Sequence, residues 1–485
     1  MGSTWSAAGV AAMSSSSVAA PSAKRLAKSS GLYSVATLSR SFMGLAVVPF
    51  LVATLPSHEF GLVMLVMPLW WIGQPLLSLG ASEGLSRAVS TRDPKTSNGA
   101  LLLSLIVVVP MTLVVGVIIW QFSSFILGVR WETAICLAII AAGAQSFFAC
   151  MLVTLQGQGR IGQAVSVLFT FAFAPQVGGV TAVLAFDSSA EAYLAGYLVG
   201  MTFVVLVGLT RTIRSAGLQF GPEARATLLD GCKVGLPMTP QMISVQVADV
   251  GARRVVLALA GLSAVGVFGV AAAVGNLVWN LIKSSSQAWS PMLFKLDETE
   301  VAEFVRKTYA VGTAAALTCW SLGMLALPVV ELVLPAGYDR IDFTASAAAF
   351  LASAPAGIGF VVASGLCLRY RRTGIMAWAS PVIAVVVIGF AIGAASTLGW
   401  PAAGASLAIM YALSAPVLAH YVRNFTTSSH KQAYRACAFA IVGGILAGVL
   451  RHEGLALYYA FTGALALVVS VQVVLTVREL RTAHG

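Results

Sequence analysis

The chain reads as an all-α polytopic membrane protein, with fourteen transmembrane helices. Two six-helix lobes, related by a parallel pseudo-twofold axis, are expected to be followed by two C-terminal helices. Three observations carry that expectation. Of 485 residues, 58% are hydrophobic and only 10% charged, with a mean hydropathy of +0.88, a balance that a water-soluble domain does not show. Apolar blocks of about 20 residues, the length an α-helix needs to cross a bilayer, recur from end to end. The charges also sort by loop: one set of loops holds 22 Lys+Arg against 9 Asp+Glu, the other 3 against 8. That asymmetry is the positive-inside rule, so the basic loops are expected in the cytoplasm, with both termini beside them. It also accounts for the formal net charge of +11 without a nucleic-acid partner.

Taken in order, residues 1–30 are Ser/Ala-rich and end in Lys24, Arg25 and Lys28, which predicts a disordered cytoplasmic tail. A cleavable signal is not expected, because the block that follows is long and carries Arg40. The apolar blocks cover 31–54, 60–83, 99–121, 132–156, 160–185 and 191–210, then 234–258, 264–294, 308–334, 344–368, 374–398 and 402–422, and finally 436–450 and 455–477. The first six form an N-lobe, 31–210. The longest connection, 211–233, is a cytoplasmic linker; 234–422 forms the C-lobe, 423–477 holds the two extra helices, and 478–485 is a cytoplasmic tail. The first hairpin turns through Phe60-Gly61-Leu62, and the corresponding hairpin of the second set through Val265-Gly266-Val267, 205 residues later. Two units of the same orientation place a path between the lobes.

Several chemistries are not expected. No loop is large enough for a globular catalytic domain. The six cysteines and five histidines are dispersed, and there is neither a CxxC nor a GxxxxGK[ST] sequence, so the chain suggests no metal, no cofactor and no ATPase module.

Polar residues inside the blocks carry the functional signal. In the eighth block Asn276, Asn280, Lys283 and Gln287 recur at offsets of 0, 4, 7 and 11, which stacks them on one face of a helix. A lysine near mid-membrane costs about 2.5–3.5 kcal/mol if it faces lipid, so this stripe should face water or a partner. In the first block Thr37, Arg40 and Ser41 share a small-residue face, from which Arg40 either lines the same lumen or snorkels to the interface. In the seventh block Gln246, Asp249 and Arg253 share a face, while Arg254 points about 100° away. An Asp249–Arg253 ion pair would neutralise two of these charges and leave one arginine over. With Arg87 at the end of the second block as a further candidate, the membrane inventory is strongly cationic, and arginine forks match phosphate oxygens. An anionic cargo is the expectation.

Four short stretches add a resemblance: Leu38-Ser39-Arg40, Phe60-Gly61-Leu62, Leu79-Gly80 running to Leu85-Ser86-Arg87, and Gln287-Ala288-Trp289-Ser290-Pro291. Together they resemble the polysaccharide transporter family, the oligosaccharide flippases of the multidrug, oligosaccharidyl-lipid and polysaccharide exporter superfamily. The resemblance implies twelve or fourteen helices in two lobes forming a V. It also implies a non-enzymatic carrier in the cell inner membrane, moving an undecaprenyl-pyrophosphate oligosaccharide through a cationic cavity, with a polysaccharide polymerase or export machinery as partner. Arg40, Arg254 and Lys283, with Arg253 and Arg87, would then bind the phosphates, and Asp249 would be the candidate for cation coupling. One departure stands out: where the family carries an Asp-Arg pair in helix 7, this chain reads Arg253-Arg254, and the acid lies a turn earlier at Asp249. A multidrug antiporter of the same superfamily is the alternative, and a membrane glycosyltransferase a more distant one.

Overall fold

The computed structural model describes residues 23–89, 92–129, 132–293, 296–332, 334, 339–370, 372–422 and 430–482. Among them the chain is helical throughout, with short connections. The N-lobe comprises α1 (Ala23–Thr54), α2 (Ser57–Val66 continuing as Pro68–Leu77), α3 (Pro94–Leu103 and Leu105–Ile126), α4 (Thr133–Gly157), α5 (Ile161–Ala185) and α6 (Ala190–Ala216). A 62-residue apolar helical stretch, Pro222–Lys283, follows. As one rod it would measure about 93 Å, some three bilayer cores. It is not one rod: Gly261 (φ 81) reverses the chain, so the stretch resolves into a linker helix (Pro222–Gly235), α7 (239–260) and the first part of α8 (262–293). Thirteen candidate spans thereby become fourteen crossings. The C-lobe continues with α9 (Glu298–Glu331), α10 (Arg340–Leu351 and Ser353–Arg369), α11 (Gly374–Leu398) and α12 (Trp400–Ala405 leading into Ser406–Tyr421). Last come α13 (His430–Glu453) and α14 (Leu455–Thr482).

The helix ends fall into two sets. One carries Glu59, Glu132, Glu191, Asp339 and Asp342, and is called the acidic end below; the other carries Arg92, Lys95, Arg160, Lys233 and Arg372, and is called the basic end. Contacts between the lobes run chiefly through α7 and α8 on one side and α1 and α2 on the other. At the acidic end this contact is a seam of small residues. A Cβ added to Gly61 would sit 2.0 Å from the carbonyl oxygen of Leu262, and Gly266 and Gly269 receive the side chains of Phe60 and Met64. Ser263 and Ser57 close it with a hydroxyl–hydroxyl hydrogen bond of 3.0 Å. Every residue from Phe60 to Val66 is buried. Backbones approach this closely only where side chains are absent, a packing that membrane helices favour because dispersion, not water release, drives their contact.

Several elements differ from the hydropathy reading. The second block does not run unbroken to residue 83. Pro68 has no N–H to offer Met64, which interrupts α2 at Met67; the chain then leaves it through Leu79 (φ 48) and Gly80 (φ 77). A separate helix, Ala81–Val89, follows. The segment 211–233 is not a loose connection either. It holds the end of α6 and most of the linker helix, whose Ala224, Thr227, Leu228, Gly231 and Gly235 form one buried face. That face lies on Ala81–Val89 with Gly231 against Gly84 and Gly235 against Gly80, backbone to backbone. The two extra helices, α13 and α14, are tied to the C-lobe. Arg451 donates to both carboxylate oxygens of the buried Glu331 on α9, at 2.9 Å each, and Thr344 adds its hydroxyl to the same carboxylate. Tyr458 donates to the carbonyl of Met324 at 2.6 Å. Residues 1–22 of the N-terminal tail, 423–429, and 483–485 of the C-terminal tail lie outside the described residues.

Candidate functional site

The polar stripe of α8 faces α1. Asn280 donates its amide to the Ser41 hydroxyl at 2.9 Å, and this contact sets the level at which Arg40 and Lys283 meet. One face further round, Trp279 stacks on Tyr411 of α12 with centroids 4.5 Å apart and fits against Gly357. Thus α8 is held by the C-lobe on one side and presents its polar side to the N-lobe. Asn276 is half-buried on the same stripe. The side chain of Gln287 lies outside the described residues, as does that of Arg87, whose backbone belongs to Ala81–Val89. Thr37 is half-buried on α1, one turn from Arg40.

Arg40 does not reach for the interface. Its guanidinium carbon lies over two aromatic rings of the N-lobe, 4.3 Å from the Trp71 centroid on α2 and 4.2 Å from that of Phe171 on α5. Among the described residues no carbonyl, carboxylate or hydroxyl accepts a hydrogen bond from it. The side chain of Lys283 is exposed. Lys283 makes no contact ion pair among the described residues. Its charge is balanced from a distance by Glu83 and opposed by Arg40. Glu83 is the acid the sequence count left among the loops. Folding turns the chain out of α2 at Leu79–Gly80 and brings this carboxylate to the membrane cations.

The two arginines of α7 are used differently. Arg253 is buried; its Nη2 lies 3.1 Å and its Nε 3.2 Å from Asp249, and its Nη1 donates to the carbonyl of Met64 at 2.5 Å. That carbonyl is the one Pro68 leaves without a helical partner, so the arginine completes the α2 break. Arg254, one residue on, packs its guanidinium against Gly128 in the connection between α3 and α4. It stands seven residues before Gly261 while Lys283 stands twenty-two after it. Along antiparallel helices that is a separation of about 22 Å, so the structure brings Arg40, Lys283 and Glu83 to one level and places Arg253, Arg254 and Asp249 nearer the acidic end. Gln246, two turns before Arg253, is half-buried between the two levels.

Sequence reasoning missed Glu83, Trp71, Phe171 and Tyr197, the last stacked on Trp70 at 4.1 Å and within electrostatic reach of Arg40. The Trp70-Trp71 doublet beside Gln74 was the available signal. Adjacent aromatics on a helix point about 100° apart, so one of the pair had to leave the packed face.

This architecture defines a class. It is a two-lobed, all-helical membrane fold, similar to those of solved transporters. Among solved structures the chain is similar to the lipid II flippase MurJ in an inward closed conformation, with a TM-score of 0.64 at 13% identity, over 93% of this chain and 99% of that one. It is also similar to a multidrug resistance MATE family transporter in an inward-facing conformation, with a TM-score of 0.60 at 16% identity, over 87% and 99%. A transporter of the multidrug, oligosaccharidyl-lipid and polysaccharide exporter superfamily from Pyrococcus furiosus, described by the reverse polarity of its binding pocket, aligns with a TM-score of 0.56 at 16% identity over 87% and 95%. No family model and no curated protein matches the sequence.

Proposed function

We propose that the chain is a flippase for a lipid-linked oligosaccharide of the undecaprenyl-pyrophosphate type, moving its headgroup from the cytoplasmic to the outer leaflet of the cell inner membrane by alternating access. One observation carries the reading: a guanidinium held over two aromatic rings with no acceptor among the described residues, within electrostatic reach of an exposed ammonium. A buried cation left unpaired costs several kcal/mol, and a diphosphate presents the oxygens that would satisfy both groups. Arg40 and Lys283 bind the phosphates on the basic side, with Arg87 at its rim and the stripe of Asn276, Asn280 and Gln287 contacting the sugars. Arg254 is a second station toward the acidic end, while Arg253 serves the α7–α2 junction. The acyl tail stays in lipid. Asp249 couples a cation gradient to the cycle, and a polysaccharide polymerase or export machinery receives the product. The likeness to MurJ supports a lipid-linked cargo. The likeness to MATE transporters keeps a multidrug antiporter as the second reading, although an unpaired Arg40 and an open Lys283 repel a cationic drug.

The test is reconstitution into liposomes with lipid-linked glycans and measurement of the fraction that changes leaflet. Arg40→Gln and Lys283→Gln are each expected to cut the flipping rate tenfold or more at unchanged insertion, and to leave export of a cationic dye no better than background. Flipping at the unaltered rate in both variants, or dye export by the unaltered protein without any glycan flipping, would refute the reading.

A further inference from the structure

Phosphate capture leaves Trp71 unused, and its placement is unusual. Its neighbour Trp70 is packed away at 4% exposure, stacked nearly flat on Tyr197 with an interplanar angle of 17°. That contact fixes the rotation of α2 and turns Trp71 toward Arg40, whose guanidinium covers its ring at 4.3 Å. Trp71 nevertheless keeps 39% of its surface exposed. A ring that touches a guanidinium and is itself still exposed has surface left for a further partner. Gln74, three residues on, is half-buried on the same side of α2. The exposed indole thus adjoins a guanidinium, and the ammonium of Lys283 on α8 lies within electrostatic reach of that guanidinium.

The pairing of indole and guanidinium is more than an anion site requires. Bare diphosphate is strongly hydrated and gains nothing from a large apolar ring, and a hydrocarbon tail gains nothing from an unpaired arginine. A pyranose attached to phosphate uses both. Its axial C–H groups carry small positive partial charges that pack on the negative face of an indole, and its hydroxyls point outward in the ring plane to polar groups such as Gln74. The ring is separated from the phosphate by a single glycosidic oxygen, and two groups so joined can lie against an arginine and a tryptophan that are themselves in contact. We infer that Trp71 is the platform for the first sugar of the cargo, so that Arg40 and Trp71 together select a glycosyl diphosphate over a diphosphate alone. This rests on the phosphate reading of Arg40 and gives it a sugar specificity.

The experiment compares two probes on the purified full-length chain by titration: a short prenyl diphosphate, and the same diphosphate carrying one hexose. The unaltered protein is expected to bind the hexosyl probe about tenfold more tightly, the size of one good stacking contact. Trp71→Leu should abolish that preference, bringing the two probes to within about twofold of each other. Trp71→Phe, which keeps a ring and serves as the control for folding, should retain most of the preference, and Arg40→Gln should weaken both probes. A hexosyl preference that survives in Trp71→Leu, or an equal loss for both probes in that variant, overturns the inference while leaving the phosphate site standing. If the unaltered protein binds neither probe, the phosphate reading falls and this one with it.

Discussion

Replacing Arg253 with methionine removes three interactions at once from a buried junction. The arginine side chain is 6% exposed and its partner Asp249 15%, so the substitution strands a carboxylate among helices and leaves the Met64 carbonyl with no donor, because Pro68 cannot supply one. Breaking a buried pair from one side costs about 3–5 kcal/mol, or roughly a hundredfold to a few thousandfold in the folding equilibrium. The double variant Arg253→Met/Asp249→Leu removes the stranded charge as well. What remains is the unpaired carbonyl, about 1–3 kcal/mol, so the double variant should be more stable than the single one. Steric trapping in bicelles measures the folding equilibrium directly and can separate the two. If the single variant is as stable as the unaltered protein, or the double variant is no better than the single, the α7–α2 junction is not held as described. Asp249 would then be free for coupling alone.

Two further outcomes are expected. Gly61→Leu places a side chain where even a Cβ would meet the Leu262 carbonyl at 2.0 Å, so in a background without native cysteines, disulfide formation between Ser57→Cys and Ser263→Cys should fall by more than half; undiminished cross-linking would show that the seam tolerates bulk. At the acidic end, burial first and then the neighbouring Glu59 and Glu191 carboxylates hold the Glu132 carboxyl above its usual range. A raised folded value means the native state holds the proton more tightly, so its ionisation at neutral pH works against the fold. Glu132→Gln should therefore raise the melting temperature at pH 7, and the gain should fade as pH falls through the folded value toward the ordinary carboxylate value near about 4.3. A gain that persists at pH 4, measured by scanning fluorimetry, would contradict it.

Much of the helical architecture could be read from hydropathy, because an apolar block of bilayer length has few alternatives to a helix. The phase of the α8 stripe was also legible, since periodicity alone places Asn280 and Lys283 on one face and the Ser41 contact lies on that face. Depth was less well read. Counting residues from Gly261 would have separated Arg254 from Lys283, but helical phase says which way a side chain points and nothing about its level. The grouping of Arg40 with Glu83 was harder still. It depends on the left-handed turn at Leu79–Gly80, and Leu79 gives no local sign of adopting that backbone. The role of Arg253 was half legible: the i, i+4 spacing announces Asp249, whereas the Met64 carbonyl lies 189 residues away and is exposed as an acceptor only by the proline that breaks α2.

The linker helix has a mechanical consequence. Because Gly231 and Gly235 lie directly on Gly84 and Gly80, Pro222–Gly235 is joined to the N-lobe as firmly as one helix of that lobe is to another. The boundary with the C-lobe then falls at the 3-10 turn Leu236–Met238, where Pro237 and Pro240 deprive the backbone of amide donors. If the lobes tilt against one another, the few bonds there and at Gly261 are the pivots at the two ends of α7. The Asp249–Arg253 pair lies between those pivots.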